Sequence, residues 1–527
     1  DTPVTLEELQ RLADANQTHY MSGETLIPVN VDQLHEFLRQ VKKIQKQKIT
    51  PFDLLRADVG FGIQYNVSSG WLERVMKQLR GQTPIKELDQ PQGLKANLRP
   101  YQVRGFSWLC FMRSAGLGAC LADDMGLGKT IQTISYMLHV RENNKLPKKP
   151  FLLVCPTSLL SNWQRELETF APGLNFHVHH GSTRDKESDF FETDIVITSY
   201  SLADRDLSFL KPQLWEGIIL DEAQNIKNAN AKQTRALKML NARHRIILTG
   251  TPIENRPTDI WSLMDFANHG LLGNKTWFNS HYGRALSYSN KKEQQEQAEK
   301  VAQQLKGVVA PFMLRRLKTD NSIISDLPDR INHKIVCKLS LEQTSLYKAC
   351  VDNMLSELNQ TKDGLARRGL ILTTLMRLKQ ICNHPAQFTK EGLTGESGKL
   401  DVLHDLLDEI METNEKVLIF TQFKEMGTIL NQILEKKFGK HIPFLNGSTP
   451  AKDRGQMVED FQKEDGSNIF ILSLKAGGIG LNLTAANHVI HYDRWWNPAV
   501  EDQATSRAHR IGQKKIVSVH TFICNGT

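Results

Sequence analysis

Ten residues constrain this chain more than any others: Leu121-Ala122-Asp123-Asp124-Met125-Gly126-Leu127-Gly128-Lys129-Thr130. Glycines at 126 and 128 let backbone N–H groups approach a ligand closely, because no Cβ intervenes. The apolar run Ile131 to Val140 follows at once, which puts those N–H groups at a helix N-terminus, a place that favours anions. Lys129 is placed to reach the outer phosphates of a nucleotide, and the Thr130 hydroxyl to ligate Mg²⁺. Residues Asp124 to Thr130 therefore form a candidate phosphate-binding loop. It departs from the generic pattern in one place, because Asp123 stands where a first glycine is usual.

With 527 residues the chain exceeds what one core supports, so three to four domains are expected. Its 40% hydrophobic and 24% charged content is that of a soluble globular protein, and no apolar run approaches the roughly 20 residues that span a membrane. Seven cysteines argue for a reducing compartment and against a disulfide framework. A net charge of +8 permits a polyanionic partner without demanding one. The first residues read as a trimmed fragment, and the end of the chain reads as cut just after a strand-like run.

Residues 1–95 carry helix-like pieces such as Val31 to Lys46, with Leu34, Phe37, Leu38 and Val41 at helical spacing, and no chemical motif. Gln102 lies upstream of the loop and offers the donor and acceptor that an adenine edge needs, although a surface glutamine at a helix start reads equally well. Continuous apolar runs at Phe151–Pro156, Asp194–Tyr200, Gly217–Glu222 and Arg245–Thr251 suit strands buried on both faces of a parallel sheet. Ligands bind at the carboxyl ends of such strands. Thr157, Thr198, Asp221, Glu222, Thr249 and Thr251 are expected to converge on the loop. An acid at a strand end, Asp221, suits Mg²⁺. The next, Glu222, is placed to activate an attacking water.

Residues 255–395 read as mostly helical, with the charged run Lys291 to Lys300 and a linker near 327–335. Cys382-Asn383-His384-Pro385 has no second Cys/His pair at zinc spacing and reads as a structural turn. A second sheet pattern follows, at Lys416–Phe420, Ile442–Leu445, Ile469–Leu474 and His488–Asp493. It has no phosphate loop of its own and ends in Arg507-Ala508-His509-Arg510, whose arginines share one helix face and can project at a nucleotide held elsewhere.

Together these residues resemble the two-lobed ATPase motor of helicase superfamily two, and within it the Swi/Snf-type DNA translocases. The carrying motifs are 98–102 (LRPYQ), 122–130 (ADDMGLGKT), 155–163 (CPTSLLSNW), 221–224 (DEAQ), 248–252 (LTGTP), 475–484 (KAGGIGLNLT), 495–498 (WWNP) and 507–513 (RAHRIGQ), in family order from residue 98 to about 525. In this family an aspartate at the Asp123 position is usual. The resemblance implies an α/β fold: residues 1–95 as an accessory segment, 96–330 as a RecA-like lobe with a helical protrusion, and 331–527 as a protrusion with a second lobe. It implies that Gln102 reads adenine, that Lys129, Arg507 and Arg510 act on the phosphates with Glu222, and that Thr249 to Thr251 couple the nucleotide to lobe closure. Around Asn162, Trp163, Thr198, Ser199, Gln422, Lys475, Thr484 and Trp496 the family contacts a DNA backbone. Trp495 and Trp496 read equally as packing residues. Ser506 stands where the family commonly has an acid, and the DEAQ form leans toward bacterial members. The implied protein is a monomeric DNA-dependent ATPase using ATP and Mg²⁺ on double-stranded DNA. Its remodelling target would be a DNA-bound protein, and it would be cytoplasmic and nucleoid-associated if bacterial or nuclear if eukaryotic, with no membrane role. Rival readings are a strand-separating DNA or RNA helicase and a DNA-bound scaffold whose ATP site only switches conformation.

Overall fold

The computed structural model describes residues 6–22, 25–28, 31, 34–35, 38, 52, 70–143, 149–181, 190, 192–250, 257–283, 286, 292–320, 322–324, 327–361, 363–390, 392–393, 395–474 and 481–527. The chain forms two compact units, one of residues 1–74 with 270–309, the other of 75–269 with 310–527. In the smaller unit, the helix Leu6–Asp14 precedes an antiparallel hairpin of His19–Ser22 and Thr25–Pro28. Leu12, Ala13, Leu34 and Leu38 form a small core there. Most of the helix expected over Val31 to Lys46, including Phe37 and Val41, lies outside the described residues. The helix Lys292–Val309 belongs to the same unit.

The larger unit holds two wholly parallel sheets. The first runs, in spatial order, Met313–Leu314, Ala119–Leu121, Arg245–Leu248, Gly217–Asp221, Phe151–Cys155, Ile195–Ser199 and Phe176–Val178. The side chains of Phe151–Cys155 and Ile195–Ser199 are buried without exception, as their uninterrupted apolar runs require when helices cover both faces. The second sheet runs Arg330–Cys337, Val517–Cys524, His488–His491, Val417–Thr421, Ile469–Ser473 and Phe444–Leu445. Its two faces bury separate clusters, one around Leu403, Ile419 and Tyr492, the other around Phe420, Phe470 and Val489.

One expectation is corrected. The linker placed near 327–335 is largely a strand, since Arg330–Cys337 pairs along its whole length with Val517–Cys524. As an edge strand it is mostly exposed. It therefore carries Arg330, Asn332, His333 and Lys334 in place of an apolar run, and reads as a connection.

After the strand Arg330–Cys337, the helices Leu341–Gln360 and Gly364–Asn383 pack as a pair. Ser340 caps the first, accepting from Gln343 N at 3.1 Å. The Cys-Asn-His-Pro turn ends the second. His384 caps the next short helix with Nδ1 accepting from Ala386 N at 3.1 Å. Asn383 donates to Asp493 Oδ2 at 3.1 Å, and its Oδ1 accepts from Lys399 Nζ at 3.0 Å. Asp493 in turn accepts from Thr421 Oγ1 at 2.5 Å and from Gln422 N at 2.8 Å, so this buried network fixes the end of a central strand.

Candidate active site

The strand Ala119–Leu121 delivers the loop to the carboxyl edge of the first sheet, and the helix Lys129–Asn143 leaves it. Gly126 and Gly128 take φ of +87° and +77°, which side chains other than glycine rarely adopt. Asp123 explains its own departure from the generic pattern. It is fully buried and accepts from Arg316 N at 3.1 Å, Arg316 Nε at 2.9 Å and a terminal guanidinium nitrogen of the same residue. Arg316 also reaches Gln132 Oε1 at 2.6 Å and the carbonyl of Tyr101. The loop is thus held from below by a buried ion pair rather than shaped by a third glycine.

Lys129 Nζ donates to the carbonyls of Asp123 at 2.6 Å and Asp124 at 3.4 Å. Burial lowers its pKa, and Glu222, Asp123, Asp221 and Asp124 oppose that shift. The acid pair follows the strand Gly217–Asp221. Asp221 accepts from Trp163 Nε1 at 2.8 Å and from Glu222 N at 2.9 Å. Burial, and then the neighbouring Glu222 carboxylate, push its pKa up to about 7. Glu222 sits in the left-handed region (φ 50°, ψ 53°), which costs a non-glycine residue about 1–2 kcal/mol. Such strain tends to collect at functional positions. Its Oε2 accepts from Gln224 Nε2 at 2.8 Å, and Gln224 Oε1 accepts from Thr249 Oγ1 at 3.3 Å. That chain ties the acid to the end of the strand Arg245–Leu248. Gly250 comes so near Met125 that a Cβ there would meet its Cγ at 3.0 Å. Thr251 lies outside the described residues.

The second lobe contributes both arginines. Arg510 stacks its Cβ on the loop so closely that a Cβ on Gly126 would meet it at 2.6 Å. Arg507 is buried; burial lowers its pKa to about 10, against the attraction of Glu222 and Asp221. Both thus lie over the loop and acid pair of the first lobe. Ser506 ends the helix Pro498–Thr505, and its N–H donates to Asp502 O at 2.9 Å.

Sequence reasoning missed four participants. Arg316 has been described. Glu166 accepts hydrogen bonds from Asn162 Nδ2 at 3.0 Å and from the Thr130 hydroxyl, and attracts Arg510. Lys318 donates to the His509 carbonyl, between the arginines. Lys379 Nζ lies 3.7 Å from the ring centre of Trp496. Arg316, Lys318 and Lys379 have no local pattern to announce them, because their partners are more than a hundred residues away.

Gln102 is buried at the start of the helix Pro100–Ser114. Its Oε1 accepts from Arg99 N at 3.0 Å and its Nε2 donates to Leu127 O at 3.3 Å, so both ends of the amide are engaged within the protein. Among the residues expected at DNA, Trp163, Thr198 and Ser199 are buried. Trp163 serves Asp221, and Thr198 Oγ1 donates to His179 O at 3.0 Å. Their side chains offer no surface to a duplex. Asn162 is half-buried beside Glu166. Gln422 Nε2 donates to Arg494 O at 3.2 Å, and its Oε1 is buried without a partner. Thr484 is half-buried, with its Oγ1 3.5 Å from Gln462 Nε2. Trp496 is 60% exposed, whereas Trp495 packs on the core of the second lobe. Lys475 lies outside the described residues.

The donor set fits a magnesium nucleotide. Lys129, Lys318, Arg507 and Arg510 surround the loop, a concentration of positive charge suited to a polyphosphate. The adjacent carboxylates of Asp221 and Glu222, close to Lys129, suit a hard divalent ion. Mg²⁺ takes only one or two carboxylates and completes its shell with phosphate and water. The described residues hold no group of three or more His, Cys, Asp or Glu placed around a metal.

Comparison with known proteins decides the family. The SNF2-related domain matches residues 101–387 and the helicase conserved C-terminal domain matches 398–512. This chain belongs to the SNF2-related family. It is 46% identical over 497 residues to YwqA of Bacillus subtilis (strain 168), provisionally named an ATP-dependent helicase/translocase, covering 93% of this chain and 53% of that protein. It is 33% identical over 459 residues to the ISWI chromatin-remodeling complex ATPase ISW1 of Saccharomyces cerevisiae, covering 83% of this chain and 39% of the yeast protein. The chain thus spans about half the length, or less, of these two relatives. Among solved structures it is similar to the Sulfolobus solfataricus SWI2/SNF2 ATPase core in complex with dsDNA, at 43% identity and a TM-score of 0.45, covering 84% of this chain and 91% of that one. The two parallel sheets are the RecA-like lobes of this family. No described helix is long and apolar enough to cross a membrane.

Proposed function

We propose that this SNF2-related core uses ATP hydrolysis to move along double-stranded DNA and thereby displaces or repositions proteins bound to it. The observation that carries the reading is the meeting of Arg507 and Arg510 from one lobe with the phosphate loop and acid pair of the other. A γ-phosphate held from both sides makes lobe closure depend on the nucleotide. Gly126, Gly128 and Lys129 bind the phosphates, Gln102 the adenine, and Thr130 and Asp221 hold magnesium. Magnesium supplies charge neutralisation on the phosphate oxygens. Glu222 accepts the proton of the attacking water, and the arginines stabilise charge building on the transferred phosphoryl group. Gln224 and Thr249 pass the state of Glu222 toward the next strand.

The DNA contacts fall to Asn162, Gln422, Lys475, Thr484 and Trp496, joined by Lys379, with phosphate and sugar as their targets and no sequence preference. A named relative supports this choice of substrate: the yeast protein is the ATPase of a chromatin-remodeling complex. The motor acts as a monomer at the nucleoid. Displacement of a triplex-forming strand from duplex DNA tests it. The protein should release the third strand with ATP and not with a non-hydrolysable analogue. Separation of duplex strands without triplex release would favour an unwinding helicase instead.

A further inference from the structure

The segment between the lobes does more than connect them. After the edge strand Met313–Leu314, Arg316 is fixed to Asp123 below the loop. Lys318 N donates to Asp124 Oδ2 at 3.1 Å. Its ammonium turns toward the second lobe, donates to the His509 carbonyl, and lies 3.2 Å from where a Cβ on Gly126 would stand. Ile323, Ile324 and Leu327 then pack with Tyr101 and Leu127 on one side and Ile511 on the other. Pro328 O lies 2.8 Å from His509 Nε2. His509 is therefore held twice by this strap, through its carbonyl and through its ring, and it sits between Arg507 and Arg510 in sequence.

We infer that Lys318 positions the arginine pair, fixing the peptide between Arg507 and Arg510 against the phosphate loop so that both guanidinium groups arrive together. This rests on the reading of Arg507 and Arg510 as groups that act on the phosphoryl group. Charge supports the geometry. Burial, the largest cause, together with repulsion from Arg510, Lys129 and Arg507 and against attraction by Asp124, lowers the Lys318 pKa to about 7. A cation kept in such company is stabilised when polyphosphate binds, so its grip on His509 strengthens with the nucleotide rather than before it.

A direct phosphate ligand and a positioning residue give different kinetics. Loss of a contact made equally in ground and transition states raises KM, whereas misplacement of groups that act only in the transition state lowers kcat. Displacing catalytic groups by about 1 Å costs on the order of 100-fold. The test compares K318M, which keeps the aliphatic stem without the donor, with K318R, which keeps a donor. Both are made in the full chain and assayed at saturating duplex DNA over a range of Mg·ATP. K318M should lower kcat between roughly 10- and 100-fold with KM changed less than about threefold, and should weaken inhibition by ADP with aluminium fluoride in parallel with kcat. K318R should recover most of the rate. K318M combined with R510A should be little worse than R510A alone, because both remove the same service. A raised KM with unchanged kcat would overturn the inference, as would unchanged kinetics. If R507A and R510A themselves left kcat intact, the arginine reading would fail first. If they abolished turnover while K318M did not, only the role of Lys318 would fall.

Discussion

Replacing Asp123 by glycine restores the generic phosphate-loop pattern and should nevertheless damage the protein. Arg316 is 9% exposed and its guanidinium is matched by the Asp123 carboxylate, Gln132 Oε1, the Tyr101 carbonyl and the Tyr101 ring at 5.0 Å. Removing one partner of a buried ion pair costs about 3–5 kcal/mol, because the other charge stays buried and unmatched. Gln132 and the Tyr101 carbonyl remain as acceptors, which places D123G near the lower end, at about 3 kcal/mol, or roughly 100-fold in the local opening equilibrium. Ala122 N and Asp124 N donate to Leu314 O at 2.7 Å and Arg316 O at 3.0 Å, so these amides report the event. Hydrogen–deuterium exchange should show their protection falling by about that factor in D123G. D123N, which keeps one acceptor oxygen, should lose about half as much free energy. Pairing D123L with R316M removes both charges and should regain protection relative to D123G. Exchange in D123G within about threefold of the parent would refute the argument, since the ion pair would then contribute no net stability.

Glu222→Gln should lower hydrolysis by about 100- to 10,000-fold while ATP still binds, measured by steady-state turnover beside equilibrium binding of a fluorescent nucleotide. Arg510→Ala should reduce kcat by about 1,000-fold or more with little change in nucleotide affinity, read in the same pair of assays. Gly126→Ala adds a Cβ at φ +87° that meets Arg510 at 2.6 Å, so it should impair lobe closure and turnover together, visible as a larger radius in solution scattering with ATP analogue bound. Lys379→Ala should leave the rate without DNA unchanged, weaken DNA binding, and reduce the slope of log affinity against log salt by about 0.9. Trp496→Ala should reduce DNA stimulation, again without altering the DNA-free rate.

The strands that sequence made legible are those with uninterrupted apolar runs, such as Phe151–Cys155 and Ile469–Ser473, because burial on both faces leaves that mark. Two kinds of element escaped. Ala119–Leu121 and Met313–Leu314 are too short to show a period. Arg330–Cys337 is an exposed edge and carries polar residues. The phosphate loop and the acid pair were readable because their chemistry is local to a few consecutive residues. Arg316 and Asp123 are 193 positions apart, and Lys318 and His509 are 191 apart. Nothing in either neighbourhood names the other, so such pairs become visible only when the sheets bring them together. Trp163 shows the converse. Its motif was legible, but the indole faces Asp221 inside the lobe rather than a ligand outside it.

The central claim is that closure of two lobes over duplex DNA completes the ATP site. The most direct measurement is the ATP hydrolysis rate with no nucleic acid, with duplex DNA, with single-stranded DNA and with duplex RNA, all at matched salt. Strong stimulation by duplex DNA, absent with single strands and duplex RNA and abolished by R510A, is the predicted result. A rate indifferent to duplex DNA, or raised mainly by single strands or RNA, would contradict it.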